Sequence, residues 1–321
     1  MPREVFREEV HFLPTGCSML DLCIGGGWAE GRIINIVGDK SVGKTLIGGI
    51  EACAQFAKKH DVKRIRYVEA ESAFDEEYAE SMGMPAGVDY NREIDTVEAW
   101  YEDIDKWLDK NTKNEPCMYI LDSLDALSDA AEMERDMEKG SYGGEKAKKL
   151  SQFFRRLVRK LAEKNCTLII ISQIRDKMNV MFGETKTRSG GRALDFYASQ
   201  IVWLVELGKI KVAVRTIDRI IGVEVRAKCR KNKVGTAQRE CDFIMRFGYG
   251  VDDEITMLNW LKDVKEIDAK EWSAQKELVK DLREKQDRKG LLAIRSDLKA
   301  KCTKIWYEIE EAVSLPMRKY D

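Results

Sequence analysis

The octapeptide "GDKSVGKT", residues 38–45, constrains the fold more than any other stretch of the chain. It matches G-x-x-x-x-G-K-T at every fixed position. It follows the apolar run "RIINIV" and leads into Ile47, Ile50, Ala54 and Ala57, whose spacing predicts a helix over 44–59. Strand, glycine loop and helix together form a phosphate cradle, because glycines let the backbone curl until successive N–H groups point inward. The helix adds the positive end of its dipole. Gly38, Asp39, Lys40, Ser41, Val42 and Gly43 supply the loop. Lys44 brings a full charge to the outer phosphates, and Thr45 offers a hydroxyl to magnesium.

Such a loop needs a second carboxylate for the metal. "MYILD" ends an apolar strand in Asp122, at the strand terminus where such sites form, although Asp122 also suits a helix cap. "EAES" ends another run, and Glu71 there is either a base for an attacking water or a surface carboxylate. The runs 33–37, 65–70, 117–122 and 167–172 alternate with helical patterns, which predicts an α/β fold with a mostly parallel sheet flanked by helices. Asp75 can cap a helix that carries Glu76 and Glu77 in its first turn and stops near Gly83. A long helix over 145–163 would bury Leu150, Phe153, Leu157 and Leu161. Strands return at 200–207, 220–228 and 241–247. After Gly250 the composition shifts to charged amphipathic helices at 270–288 and 291–314. Residues 1–250 thus read as a core domain and 251–321 as a small helical one.

Charged residues make up 35% of the 321, yet the net charge is only −1, so local clusters rather than global charge must identify partners. The eight cysteines contain no C-x-x-C pair and several sit in apolar runs, which suggests buried free thiols in a reducing compartment. The only histidines, His11 and His60, are far apart in sequence, so a zinc site is not expected. Neither a signal peptide nor a membrane-spanning run is visible, and a cytoplasmic protein is expected.

The stretch 173–198, "QIRDKMNVMFGETKTRSGGRALDFYA", leaves the end of a core strand with no periodicity until Ala193. It carries Lys177, Lys186, Arg188 and Arg192. A long basic loop at the nucleotide edge suits a single nucleic-acid strand, with cations for phosphates and apolar tips such as Met178 for bases; a surface loop that binds nothing is the bland alternative. A second charged, glycine-rich stretch at 133–149 precedes Arg155, Arg156, Arg159 and Lys160, which are either part of that surface or an ordinary solvated face. "RAKCRKNK", 226–233, could line a sheet face or reach a neighbouring subunit.

Residues 13–250 resemble the bacterial RecA recombinases and their phage-encoded relatives. The likeness rests on "TGCSMLDLCIGGGWAEGRIINIVGDKSVGKT", "EAESAFDEEYAESMG", "ILDSLDAL", "SQIRDKMNVMFG", "SGGRALDFYAS" and "KNK", in that order. The resemblance implies a RecA-like P-loop ATPase core that uses ATP and Mg2+. Glu71 would be the catalytic glutamate beside Lys44, and Gln173 would sense the γ-phosphate. Asp75 would contact the adenine amino group, Tyr78 would stack on the ring, and Ser123 would join Asp122 at the phosphate edge. Lys231 and Lys233 would reach ATP held by the next subunit of a helical filament. Lys148, Ser151, Arg155, Arg175, Met178, Lys186, Arg188, Gly190, Gly191 and Arg192 would contact DNA. The implied activity is DNA-dependent ATP hydrolysis that drives pairing of single-stranded DNA with homologous duplex. A helicase-like motor and an ATP-switched accessory protein are the alternatives. Residues 1–12 stand where the family carries an element that docks on a neighbour, so the expectation is either that the usual filament contact is lost or that a different one replaces it. The chain ends "PMRKYD" in place of an acidic tail.

Overall fold

A computed structural model describes residues 10–71, 74–130, 143–176, 186–188 and 191–315. Residues 133–142 of the charged stretch 133–149 and the middle of the 173–198 loop, including Lys177, Met178 and Gly190, lie outside the described residues.

The apolar runs build one sheet. Strands β3 (Ile33–Gly38), β4 (Ile65–Glu69), β5 (Asp89–Asn91), β6 (Cys117–Asp122) and β7 (Cys166–Gln173) are parallel, in the order β3-β7-β6-β4-β5. β10 (Gln200–Val214) joins β3 in parallel on the other side. β11 (Ile217–Asn232), β12 (Glu240–Arg246) and β13 (Gly250–Val251) then extend that edge antiparallel, to nine strands among the described residues. Every residue of β3 and β6 is buried, which is why both read as largely apolar runs, with Asn35 the one polar residue inside them. A small pair, β1 (Phe12–Leu13) and β2 (Trp28–Ala29), brackets α1 (Ser18–Cys23) ahead of the sheet.

Successive side chains of each strand enter opposite layers. Ile34 and Ile36 pack with Ile47, Ile50 and Phe56 on one face, and Ile33 and Val37 with Trp100, Leu150 and Leu157 on the other. The helix predicted over 44–59 opens as a π-helical turn, Leu46–Glu51, and continues as α2 (Ala52–Ala57). It lies so close to β3 that a Cβ on Gly48 would sit 2.5 Å from the Ile36 side chain. The helix capped by Asp75 is α3 (Glu76–Ser81), with the Asp75 carboxylate accepting from the Tyr78 N–H. α4 (Val97–Asp109), absent from the sequence expectations, buries Trp100, Ile104 and Leu108 at i, i+4 and i+8. In α5 (Gly143–Glu163) the core residue is Phe154; Phe153 stacks at its flank on Tyr101, ring centroids 4.4 Å apart. A short α6 (Gly191–Tyr197) closes the basic loop.

β10 and β11 run well past the predicted 207 and 220 and form a two-stranded ribbon that turns at Arg215 and Thr216, both with positive φ. The region after Gly250 holds α7 (Asp253–Asp263), α8 (Ala269–Glu284) and α9 (Arg288–Ala312), capped in turn by the carboxylates of Asp252, Asp268 and Asp287. α7 was not anticipated. It buries Ile255, Met257, Leu258 and Leu261 and so lacks an amphipathic pattern. Val279, Leu298, Cys302 and Ile305 of the last two helices belong to the same apolar cluster as β3 and β12. All eight cysteines are free and buried. Among the described residues, no helix is long and apolar enough to cross a membrane.

Two fully buried carboxylates seat the C-terminal helices. Asp252 accepts from Arg246 and, through both oxygens, from Arg283 at 2.7 and 3.1 Å. Glu254 accepts from Arg283 at 2.8 Å and from Arg295 at 2.8 Å. Burial alone would raise the Asp252 carboxyl, but its guanidinium partners outweigh burial and hold it below the ordinary carboxylate range. A depressed folded value makes this contribution complete above the unfolded aspartate range, and it fades as pH falls through the folded value. Asp252→Asn is expected to cost about 3–5 kcal/mol at pH 7, because it removes the buried anion that Arg246 and Arg283 share and leaves Arg283 with Glu254 alone. The variant should also lose less stability than the parent between pH 5 and pH 2. Urea unfolding followed by tryptophan fluorescence at both ends of that range checks this; an unchanged acid dependence in the variant would refute the assignment.

Candidate nucleotide and DNA sites

Four neighbouring parallel strands end in Gly38, Gln173, Asp122 and Glu69, with Gly38 opposite Gln173 and Glu69 opposite Asp122. Their carboxyl ends form one edge, the place where ligands bind in open parallel sheets. The loop from Gly38 to Thr45 curls over it. Gly43 has φ +84°, and a Cβ there would lie 2.2 Å from Met245 Sδ, so only glycine fits both the conformation and the contact.

Lys44 is buried and its ammonium donates to the Asp39 carbonyl at 2.7 Å. Burial lowers its pKa, while the carboxylates of Asp122 and Glu71 act in the opposite sense. Asp122 takes three hydroxyl donors: Thr45 at 2.9 Å and Tyr67 at 2.8 Å on Oδ2, and Ser123 at 3.0 Å on Oδ1. Burial pushes the Asp122 carboxyl up and these bonds pull it back. The Thr45 hydroxyl and the Asp122 carboxylate thus present adjacent hard oxygen donors, a set that fits Mg2+. On the other side of the edge Gln173 Nε2 donates to Glu71 Oε1, across 102 residues of sequence. The Gln173 N–H donates to Asp125 at 2.7 Å, and the Glu71 N–H to Glu69 at 2.8 Å.

A cavity of about 450 Å3 opens beside the loop. It is lined by Lys44 and Thr45 of the loop, by Asp75 and Tyr78 at the start of α3, and by Met245, Arg246 and Phe247 at the end of β12. Tyr78 and Phe247 are 51% and 59% exposed, so both rings offer open faces to a planar ligand. Phe247 and Tyr67 were missed in the sequence. The available signal for Phe247 was an aromatic followed by glycine at a strand end, while Tyr67 reads as ordinary strand core. Lys231 and Lys233 do not line this cavity. Their ammonium groups converge on the Phe196 carbonyl at 3.0 and 3.1 Å, and Lys231 also reaches the Asp195 carbonyl. Burial and the neighbouring Lys233 charge bring Lys231 down to about 8.

The cations of α5 fall into two groups. Lys149 pairs with Glu98, Lys160 with Asp105 at 2.6 Å and Asp109 at 2.8 Å, and Lys146 is tied to the Leu124 and Leu127 carbonyls. Lys148, Arg155, Arg156 and Arg159 remain exposed, with Ser151 half-buried among them. Positions 148, 151, 155 and 159 follow one helix face. Arg155 makes one neutral contact, 3.3 Å to the Tyr197 hydroxyl, and Arg192 is exposed near the start of α6. β8 (Arg175–Asp176) pairs with β9 (Lys186–Thr187), so the intervening loop leaves and returns at one neck.

Arg188 departs from the expectation of a DNA-facing cation. Its side chain is 5% exposed and bonds Asp195 at 2.7 Å, which makes it a buried tie between the loop and α6. The 226–233 cluster is also engaged within the chain. Arg226 grips Asp242 through two 2.7 Å bonds, Lys228 pairs with Glu240 at 3.3 Å, and Arg230 lies over the Trp203 ring at 4.1 Å.

The family described as the RecA N-terminal domain matches residues 3–252. Protein RecA of Marinobacter nauticus is 35% identical over 246 residues, which cover 76% of this chain and 68% of that protein. Protein RecA from two strains of Cereibacter sphaeroides is 36% identical over 244 residues, again 76% of this chain and 68% and 65% of those proteins. A phosphate loop, a buried carboxylate and a Gln–Glu contact on one sheet edge, together with similarity on this scale, lead to one conclusion: the chain belongs to the RecA family of recombinases.

Proposed function

We propose that this chain is an ATP-dependent recombinase that binds single-stranded DNA as a helical nucleoprotein filament, hydrolyses ATP in response to DNA, and pairs the bound strand with homologous duplex. The observation that carries this reading is the Gln173–Glu71 contact. It joins the candidate catalytic carboxylate to the residue from which the basic 174–190 segment departs, so a change at the phosphate end has a direct mechanical route to a DNA-binding loop.

The chemistry assigns each group a task. Lys44 exchanges the Asp39 carbonyl for phosphate oxygens, a hydrogen-bond swap that costs its buried ammonium little. Thr45 and Asp122 would hold Mg2+, which supplies positive charge that draws electron density from the phosphoryl oxygens. Glu71 orients the attacking water and accepts its proton. The Gln173 amide passes between Glu71 and the terminal phosphate. Asp75, Tyr78 and Phe247 hold the base. Lys231 and Lys233 leave the Phe196 carbonyl for the nucleotide of an adjoining subunit. Lys148, Ser151 and Arg155 on α5, with Arg175, Met178, Lys186, Gly190, Gly191 and Arg192 around the second loop, take the DNA backbone and bases. Eight reduced, buried cysteines support residence in the cytoplasm.

ATP turnover with and without single-stranded DNA is the direct test. The parent should turn over faster with DNA, Glu71→Gln should retain nucleotide but lose about 10²–10⁴-fold in rate, and Lys44→Ala should lose nucleotide-dependent DNA binding. Turnover indifferent to DNA would overturn the reading, as would closed rings instead of filaments in electron micrographs with an ATP analogue. For the DNA face, replacing Arg155 and Arg159 with alanine should flatten the slope of log affinity against log salt by about 1.4, from roughly 0.7 for each phosphate contact on a single strand. An unchanged slope would remove α5 from the DNA path.

A further inference from the structure

We propose that helix α8 positions the base-facing wall of the nucleotide cavity, with Arg283, Asp252 and Arg246 as the positioning residues. This rests on the nucleotide reading above and extends it to a part of the chain that lies beyond the phosphate site.

The path is short. Met245, Arg246 and Phe247 line the cavity, and the chain then turns back at Gly248 and pairs Arg246 with Gly250. This turn is a stiff object. The Phe247 N–H donates to Ile221 at 3.0 Å, the Tyr249 N–H to Arg246 at 3.2 Å, and the Asp252 N–H to Ile244 at 2.8 Å. Asp252 follows at once and accepts from the Arg246 guanidinium that lines the cavity. The other holder of Asp252 is Arg283, near the end of α8. Arg283 also lies over the Tyr249 ring at 5.0 Å.

The turn stands between two cavities. Arg246 and Phe247 line both the nucleotide cavity and an adjoining groove of about 500 Å3, which Tyr249 and Val279, Lys280 and Arg283 of α8 also line. Asp252 is fully buried, so it cannot trade its guanidinium partners for water. Any displacement of α8 must therefore carry Asp252, and with it Arg246 and Phe247. By linkage, a ligand that fixes Phe247 also fixes α8. Arg295 provides an internal contrast: it hydrogen-bonds Glu254 in the same network, but its hydrogen bonds do not reach Asp252 or the turn.

The test uses the full chain, a fluorescent ATP analogue with Mg2+, thermal unfolding and amide hydrogen exchange. In the unmodified chain the analogue should slow exchange across 246–252 and across 269–284. Arg283→Met should weaken analogue binding about 5–20-fold, and Arg283→Lys, which keeps the charge but not the fork, should recover part of that loss. Arg295→Met should lower the unfolding temperature and leave affinity within twofold of the parent. Normal binding without protection in 269–284 overturns this inference alone, as does an equal loss of affinity in the Arg283 and Arg295 variants. Should Arg283→Met not fold, Arg283→Lys and the exchange pattern of the unmodified chain still decide. Failure of the unmodified chain to bind the analogue overturns the nucleotide reading and this inference with it.

Discussion

A carboxylate without water is the hinge of this architecture. Asp122 ends the interior strand β6 and is buried, so an unpaired charge there would be costly. Three hydroxyls replace its hydration, and each comes from a different local structure: Thr45 from the start of the phosphate-loop helix, Tyr67 from β4, and Ser123 from the strand's own exit. The loop is thereby located against two strands by donors that satisfy one group. Displacing any of them exposes the others' requirement, so the geometry at the sheet edge is set collectively.

That rigidity contrasts with what surrounds it. Gln173 and Glu71 meet at an exposed point, and Lys44, Lys231 and Lys233 all rest on backbone carbonyls. A cation on a neutral carbonyl holds a weaker bond than it would form with an anion. These groups are therefore held in place but not committed, which suits residues whose proposed partners are phosphates. The lowered pKa of Lys231 has a related origin: burial and a second lysine crowd it and outweigh the opposing pull of the Asp195 carboxylate.

What the sequence revealed follows from how local each constraint is. The phosphate loop was legible because its chemistry fixes adjacent residues, and β3 and β6 were legible because burial on both faces keeps them almost wholly apolar, with Asn35 of β3 and the terminal Asp122 of β6 each held by hydrogen bonds. The α5 face was read one residue off. Leu150, Phe153, Leu157, Leu161 and Leu150, Phe154, Leu157, Leu161 fit helical spacing equally well, and the stacking of Phe153 on Tyr101 of a distant helix decides between them. The contact of Met245 with Gly43 joins points some 200 residues apart and leaves no local trace. Arg188 looked like one more cation in a basic loop; only the fold brings Asp195 to it and removes it from solvent.

The same distinction reconciles a chain of 55 basic and 56 acidic residues with the polyanion proposed as its partner. Net charge averages over cations that are already spent. Arg226 and Lys228 are matched to Asp242 and Glu240, Lys160 to two aspartates, and Arg283 and Arg295 to buried carboxylates. Released counterions, and hence affinity, come only from cations still facing solvent. On α5 these share one face with the neck of the second loop's neighbour α6, through Arg155 and Tyr197. A basic track can thus be assembled by pairing away the cations elsewhere, with no excess of positive charge in the composition.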